Sequence, residues 1–228
     1  MAIILNIETS TTVCSVAVAV NGEVKAWREI NDGYSHAEKL EQFILSVLEE
    51  SQIKVSDLEA ISVSKGPGSY TGLRIGVSLA KGMCYGSGIL LISVPTLEAM
   101  SLDPKLKPHQ EALKVPMLDA RRMEVYACVL GPLNEVIEPT SAVIIDDSSF
   151  TKTMNEHATV FYGPGMEKCK EVLSRHENAI FVADVLPSAR YMAAISEKKF
   201  ENKDVEDVAY FEPFYLKDFV AGKPKKLL

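Results

Sequence analysis

The segment Lys65-Gly66-Pro67-Gly68-Ser69-Tyr70-Thr71-Gly72-Leu73-Arg74-Ile75-Gly76 constrains this chain more than any other stretch. An apolar run, Leu58 to Ser64, leads into it, and helical spacing follows from about Tyr70 to Gly86. A strand feeding a glycine turn at a helix N-terminus belongs to an α/β protein, and free backbone N–H groups there can hold an anion. Two nucleotide loops nevertheless fail to fit. No Gly-Lys-Ser/Thr closes the turn, so it is not a P-loop. Gly66, Gly68 and Gly72 are one residue too widely spaced for the dinucleotide fingerprint, and no acidic residue sits about 20 positions on.

The glycines have a second use. Gly68, Gly72, Gly76 and Ala80 recur every four residues, on one side of the predicted helix. Such a stripe lets another backbone approach closely, at about 0.5–1 kcal/mol per helical glycine relative to alanine. Packing inside the lobe and packing against another subunit both account for it, and both can hold on different faces of the helix.

The rest of the chain organises around this segment. Ala2 to Glu8, Thr11 to Val20 and Glu23 to Ile30 read as three strands, the last two joined by the hairpin dipeptide Asn21-Gly22. Ser35 and Glu38 form a capping box, and Leu40, Phe43, Ile44, Val47 and Leu48 follow at helical spacing to about Ser51. Ile89 to Val94 is a fifth strand. The order β-β-β-α-β-α-β resembles one actin-like, ribonuclease H-like lobe. Asp103 to Pro108, with two prolines, reads as a linker. The order then partly recurs: strands at Lys114–Leu118, Val125–Leu130, Val136–Ile145, Thr159–Tyr162 and Ala179–Val182, a Gly163-Pro164-Gly165 turn leading a helix to about His176, and a last helix from Ser188 to about Lys199. The expected division is residues 1–103 as the first lobe, 104–112 as linker and 113–228 as the second lobe, each a mixed sheet flanked by helices.

Charge and composition exclude several functions. The net charge is −7, and the one cluster of cations in sequence is the tail Lys223-Pro224-Lys225-Lys226, so tight nucleic-acid binding by this chain alone is not expected. No apolar run reaches the roughly 20 residues of a membrane span, and the start, Met1-Ala2-Ile3-Ile4-Leu5, does not read as a signal peptide. The four cysteines, Cys14, Cys84, Cys128 and Cys169, form no Cys-x-x-Cys pair and read as reduced core thiols of a cytoplasmic protein. His36, His109, His157 and His176 have no partner histidine at helical spacing, and His36 and His157 read as surface residues. Ser10, Ser15 and Ser69 have no base nearby in sequence. Glu8 and Asp119 end equivalent strands, where actin-like kinases hold magnesium, although polar residues capping a cleft explain them equally.

Four motifs carry a resemblance. Leu5-Asn6-Ile7-Glu8-Thr9-Ser10, the long glycine segment, Asp119-Ala120-Arg121-Arg122-Met123-Glu124-Val125-Tyr126 and Glu212-Pro213-Phe214-Tyr215-Leu216-Lys217 are similar to those of the TsaB (YeaZ) family, with Lys217 where the family has Arg. The resemblance implies a part in making threonylcarbamoyladenosine beside the tRNA anticodon, as the non-catalytic partner of the TsaD transferase, joined by the TsaE ATPase. It implies two actin-like lobes of the ASKHA class. TsaD-like proteins hold a metal through His-x-x-x-His after the fifth strand; Thr96 and Met100 occupy those places here, and a hydroxyl and a thioether are poor ligands for such a metal.

These readings predict no catalytic residue, no metal ligand and no cofactor site. The expected partner face comprises His36, Leu40, Phe43, Tyr70, Thr71, Gly72, Arg74 and Gly76, on the helices His36–Ser51 and Tyr70–Gly86. It would meet a TsaD-like transferase, and a second copy in isolation, while tRNA is reached through the complex and no membrane is involved. The competing expectation is an ATP-using phosphotransferase, with Glu8, Asp119 and the turns Gly66–Ser69 and Gly163–Gly165 around phosphates. A protease acting on its partner is the weakest, for want of a triad.

Overall fold

The computed structural model describes residues 2–33 and 36–217; the predicted Ser35 cap and the basic tail lie outside them. Ten strands and six helices follow in the order β1 (Ile3–Glu8), β2 (Val13–Val20), β3 (Glu23–Asn31), α1 (His36–Ser51), β4 (Ala60–Gly66), α2 (Tyr70–Ser87), β5 (Leu90–Pro95), α3 (Thr96–Met100), β6 (Leu113–Asp119), β7 (Glu124–Leu130), β8 (Val136–Ile144), α4 (Thr151–Glu156), β9 (Thr159–Tyr162), α5 (Lys170–Leu173), β10 (Ala179–Val182) and α6 (Ala189–Glu201). The strands form two five-stranded sheets, β3-β2-β1-β4-β5 and β10-β9-β6-β7-β8. Read from the same edge, both have the order 3-2-1-4-5. In both, the first three strands run antiparallel and the last two join in parallel. This is the actin-like α/β plan, laid down twice.

Local chemistry explains the elements. Asn21 and Gly22 both take positive φ (51° and 74°), the backbone a two-residue hairpin needs between right-twisted strands. β1 and β2 are apolar on nearly every residue because both faces of the first sheet are covered. On one face Leu5, Ile7, Val16, Val18, Ile61 and Val63 meet Leu40, Ile44 and Val47 of α1 and Val77 and Ala80 of α2. On the other, Ile4, Ala17, Ile92 and Val94 meet Ala189 and Met192 of α6. Each such aliphatic side chain contributes about 1.5–3 kcal/mol when fully buried.

Several elements escaped the sequence reading. The stretch Pro104–His109 is a 3₁₀ helix, with Leu106 buried and Asp103 capping Lys105 N–H at 2.9 Å. Helix α3 follows β5 without a break. The helix predicted to reach His176 is a single 3₁₀ turn, Glu167–Cys169, and the four-residue α5. Helix α6 lies in the segment expected as the second lobe, yet it packs on β1, β2 and β5. The chain beyond α6 also returns to the first sheet, as far as Phe214. Glu206 N–H donates to the Leu91 carbonyl (2.8 Å), Lys81 Nζ reaches the carbonyls of Ala209 (3.2 Å) and Phe211 (2.9 Å), and Phe214 N–H donates to the Lys65 carbonyl (2.7 Å). Among the described residues no helix is long and apolar enough to cross a membrane.

Candidate functional site

The glycine segment leaves β4 at Gly66, whose φ of 104° suits glycine alone, and enters α2 at Ser69. Ser69 Oγ caps the helix by accepting Gly72 N–H at 3.2 Å. The glycine stripe faces inward. A Cβ on Gly68 would lie 2.2 Å from the Ser10 carbonyl, one on Gly72 2.1 Å from the Thr9 carbonyl, and one on Gly76 2.3 Å from Thr9 Oγ1. Every such distance is a clash. The stripe therefore lets α2 lie directly on the backbone that leaves β1.

That contact seals Glu8. Its carboxyl is fully buried, with Oε1 accepting Ser10 N–H (2.5 Å) and Ser64 Oγ–H (3.0 Å). Glu8 Oε2, Thr9 Oγ1 and Ser10 Oγ beside it have no hydrogen-bond partner among the described residues. Burial pushes the Glu8 carboxyl above the ordinary carboxylate range, and the bonds from Ser10 and Ser64 only partly oppose it. Asp119, at the matching strand end of the second sheet, is exposed and tied to Lys168 Nζ at 2.5 Å. Partial burial works to raise its carboxyl, but the Lys168 and Arg121 contacts prevail and hold it below the usual range. The two carboxylates of the kinase-like expectation thus have opposite surroundings.

Thr96 and Met100, in the places of the transferase histidines, are both fully buried, and Met100 packs in a cluster with Leu118, Leu130 and Tyr162. The four cysteines are free and buried, and burial pushes the Cys14 and Cys128 thiols up to about 12 and that of Cys84 to about 11. Among the described residues no three His, Cys, Asp or Glu side chains gather as a metal site.

The expected partner face divides in two. His36 is buried rather than on the surface: its Nε2 lies 2.7 Å from the Thr11 carbonyl, and its ring lies beside Gly72. Leu40, Gly72 and Gly76 are also buried, and Phe43 is packed against the core of the first sheet. These residues build the lobe. Thr71 and Arg74 are exposed, and Tyr70 is half-buried between Arg74, 4.2 Å from its ring centre, and Tyr215, 4.8 Å from it.

A different row faces solvent. Thr71, Arg74, Ser78, Gly82 and Tyr85 run along the outer side of α2. Nothing lies within 4 Å of a Cβ built on Gly82 or Gly86, and Tyr85 is 87% exposed. On neighbouring α1, Leu45 is 60% exposed among Glu38, Glu41, Gln42 and Glu49. Sequence reasoning missed Leu45, Ser78, Gly82 and Tyr85, although the side of the wheel opposite the glycine stripe would have found the α2 residues. It also missed that Tyr215, in the C-terminal motif, stacks on the first turn of α2.

Comparison with known proteins agrees with this architecture. A family model described as TsaD, tRNA N6-adenosine threonylcarbamoyltransferase, matches residues 33–225. The tRNA threonylcarbamoyladenosine biosynthesis protein TsaB of Escherichia coli is 30% identical, over 96% of this chain and 96% of its own. The TsaB of Haemophilus influenzae is 26% identical over 96% and 95%. The solved structure of YeaZ from Pseudomonas aeruginosa superposes with a TM-score of 0.81 at 21% identity, covering 95% of this chain and all of that one. The chain therefore belongs to the family that the transferase model describes, and within it to the TsaB (YeaZ) branch, with a role in tRNA threonylcarbamoyladenosine biosynthesis.

Proposed function

We propose that this chain is a cytoplasmic, non-catalytic subunit that docks on a TsaD-like transferase through the outer sides of α1 and α2. The partner moves the threonylcarbamoyl group from threonylcarbamoyl-AMP to the adenosine beside the tRNA anticodon, and a TsaE-like ATPase joins the pair. The observation that carries this reading is the outer row of α2. A long helix with Gly82 and Gly86 open and Tyr85 standing free, next to a helix that exposes Leu45, offers a shallow seat with an aromatic anchor, the pattern of a protein interface. In isolation the same face pairs with a second copy.

The surroundings of Glu8 support this reading over an ATP-using phosphotransferase. A phosphate-binding carboxylate must meet a metal or water, whereas Glu8 lies under Gly68 and Ser10 with no exposed atom. Thr96 and Met100 in the core likewise offer no metal ligand pair.

Co-purification with a TsaD-like protein tests the proposal. Leu45→Glu combined with Tyr85→Glu is expected to abolish the complex, and the modification that depends on it, while the chain stays folded by circular dichroism. A complex that survives the double substitution, or modification that proceeds without this chain, sinks the proposal.

A further inference from the structure

The cations that the sequence scatters are gathered by the fold. The turn between β6 and β7 carries Arg121 and Arg122 side by side, both exposed, at φ of 71° and 49°. Positive φ is costly for such side chains, and turns of this kind usually use asparagine and glycine. The turn is nonetheless held in shape: Arg121 N–H donates to Asp119 Oδ1 at 2.7 Å, and Glu124 N–H to the Arg121 carbonyl at 3.1 Å. Neither guanidinium makes a hydrogen bond or ion pair among the described residues. Two lysines converge on the same turn. Lys168 Nζ reaches Asp119 (2.5 Å) and the Glu124 carbonyl (2.7 Å), and Lys217 pairs with the Glu124 carboxylate. The lysines pair with the two acids of the turn, and Arg121, whose charge also acts on Asp119, and Arg122 leave the turn net positive.

One aromatic ring borders the turn, and a second lies on the chain that brings Lys217 to it. Lys217 Nζ lies 6.0 Å from the centre of the Tyr126 ring. Tyr215, two residues earlier, packs on Tyr70, which carries Arg74. All three tyrosines are partly exposed.

We propose that this surface is an RNA-binding site, with phosphates on Arg121 and Arg122 and unpaired bases on Tyr126 and Tyr215. Guanidinium groups bind phosphate oxygens bidentately, and aromatic faces beside cations accept unstacked bases. Strained backbone persists where the side chains it displays are used, and two outward arginines at positive φ fit that pattern. The choice of RNA over another polyanion rests on the proposed place of this chain in a tRNA-modifying complex.

The test is fluorescence anisotropy of a labelled anticodon stem-loop RNA with the full chain alone, between about 50 and 200 mM salt. The parent is expected to bind, more weakly as salt rises. Arg121→Glu with Arg122→Glu should raise Kd at least about tenfold and flatten the salt slope by about 1.4, two phosphate contacts on a single strand. Lys25→Glu with Arg175→Glu, the same charge change at two exposed ion pairs elsewhere, should alter Kd by less than about threefold. Arg121→Gly with Arg122→Gly supplies a signature that a structural role would not give: the melting temperature rises as the strain is relieved, while RNA is lost. Equal weakening by both charge reversals, or no binding by the parent at low salt, overturns the proposal. So does displacement of RNA by poly-glutamate of equal charge, which would assign the site to an acidic protein segment. Because no partner is present, failure of the transferase to co-purify would overturn the docking proposal and leave this titration standing.

Discussion

The two sheets each end their fourth strand in the same tripeptide: Gly66-Pro67-Gly68 after β4 and Gly163-Pro164-Gly165 after β9. The first glycines have nearly equal φ, 104° and 103°. The second glycines both press on the C-terminal end of the central strand or the chain just beyond it, Gly68 on Ser10 and Gly165 on Leu118 and Asp119. The helices that the two turns open are different. The first turn is capped by Ser69 and opens the 18-residue α2; the second opens only a 3₁₀ turn and the four-residue α5. Under the first turn the strand-end carboxylate is entombed, and under the second it is exposed and paired with Lys168. One backbone device thus serves two ends. Continued by Gly72 and Gly76, it clamps a long helix on the first lobe and turns that helix's opposite side outward. Without them it leaves an open, charged turn on the second.

One added methyl group should separate the two turns most strongly. Gly68→Ala drives Cβ to 2.2 Å from a backbone oxygen, whereas a Cβ on Gly165 would lie 2.8 Å from its nearest atom. Gly68→Ala is expected to lose about 3 kcal/mol or more and Gly165→Ala about 1–2 kcal/mol, measured by urea unfolding. Equal losses would mean that the two turns are equally clamped.

Next in size is the contrast between α2 and α5. Leu45→Glu with Tyr85→Glu is expected to weaken partner binding by at least about 3 kcal/mol, over a hundredfold, by titration calorimetry. Lys170→Glu with Ser174→Glu, at α5, should leave it unchanged. Loss of binding from the α5 pair would move the interface to the second lobe.

The strand-end carboxylates should respond to pH with opposite signs. Glu8 is raised above its reference value of 4.5 by burial, so its contribution is most favourable below 4.5 and is lost as pH climbs through its folded pKa. Asp119 is held below its reference value of 3.8, so its contribution is present above 3.8 and is lost as pH falls through its folded pKa. Stability curves should show Glu8→Gln removing a decline on the alkaline side of 4.5, and Asp119→Asn removing a smaller decline on the acid side of 3.8, smaller because that site is solvated. Matching signs would refute the contrast in burial.

The smallest effect concerns the link between the two regions. Tyr215→Ala removes the ring packed on Tyr70 and is expected to cost about 1 kcal/mol by thermal unfolding. A neutral result would leave the C-terminal motif as a surface feature.

Much of the fold was legible because its signals are local. Asn21-Gly22 announced a hairpin, alternating valines a strand, and the spacing of Leu40, Ile44 and Val47 the buried side of α1. Helices α3 and α4 were not, because five or six residues are too few for a periodic pattern, and the helix read up to His176 shrank to a 3₁₀ turn and the four-residue α5. Of the expected partner face, Thr71 and Arg74 are exposed, while His36, Leu40, Gly72 and Gly76 are internal. The division has a physical source: a smooth stripe signals close approach of another backbone, but not whose.

Spacing and residue type alone carry the order of the ten strands and of α1, α2 and α6, exclude two nucleotide loops for the glycine segment, and supply the motifs that place the chain in its family. These come from spacing and from residues whose backbone or chemical range is narrow, above all glycine, proline and asparagine. Long-range packing settles which side of α2 is spent on β1, that α6 returns to the first sheet, and that Lys168 and Lys217 join Arg121 and Arg122 at one turn. Burial and charge clustering depend on which distant segments come together, and that is a property of the packed sheets rather than of any stretch of chain.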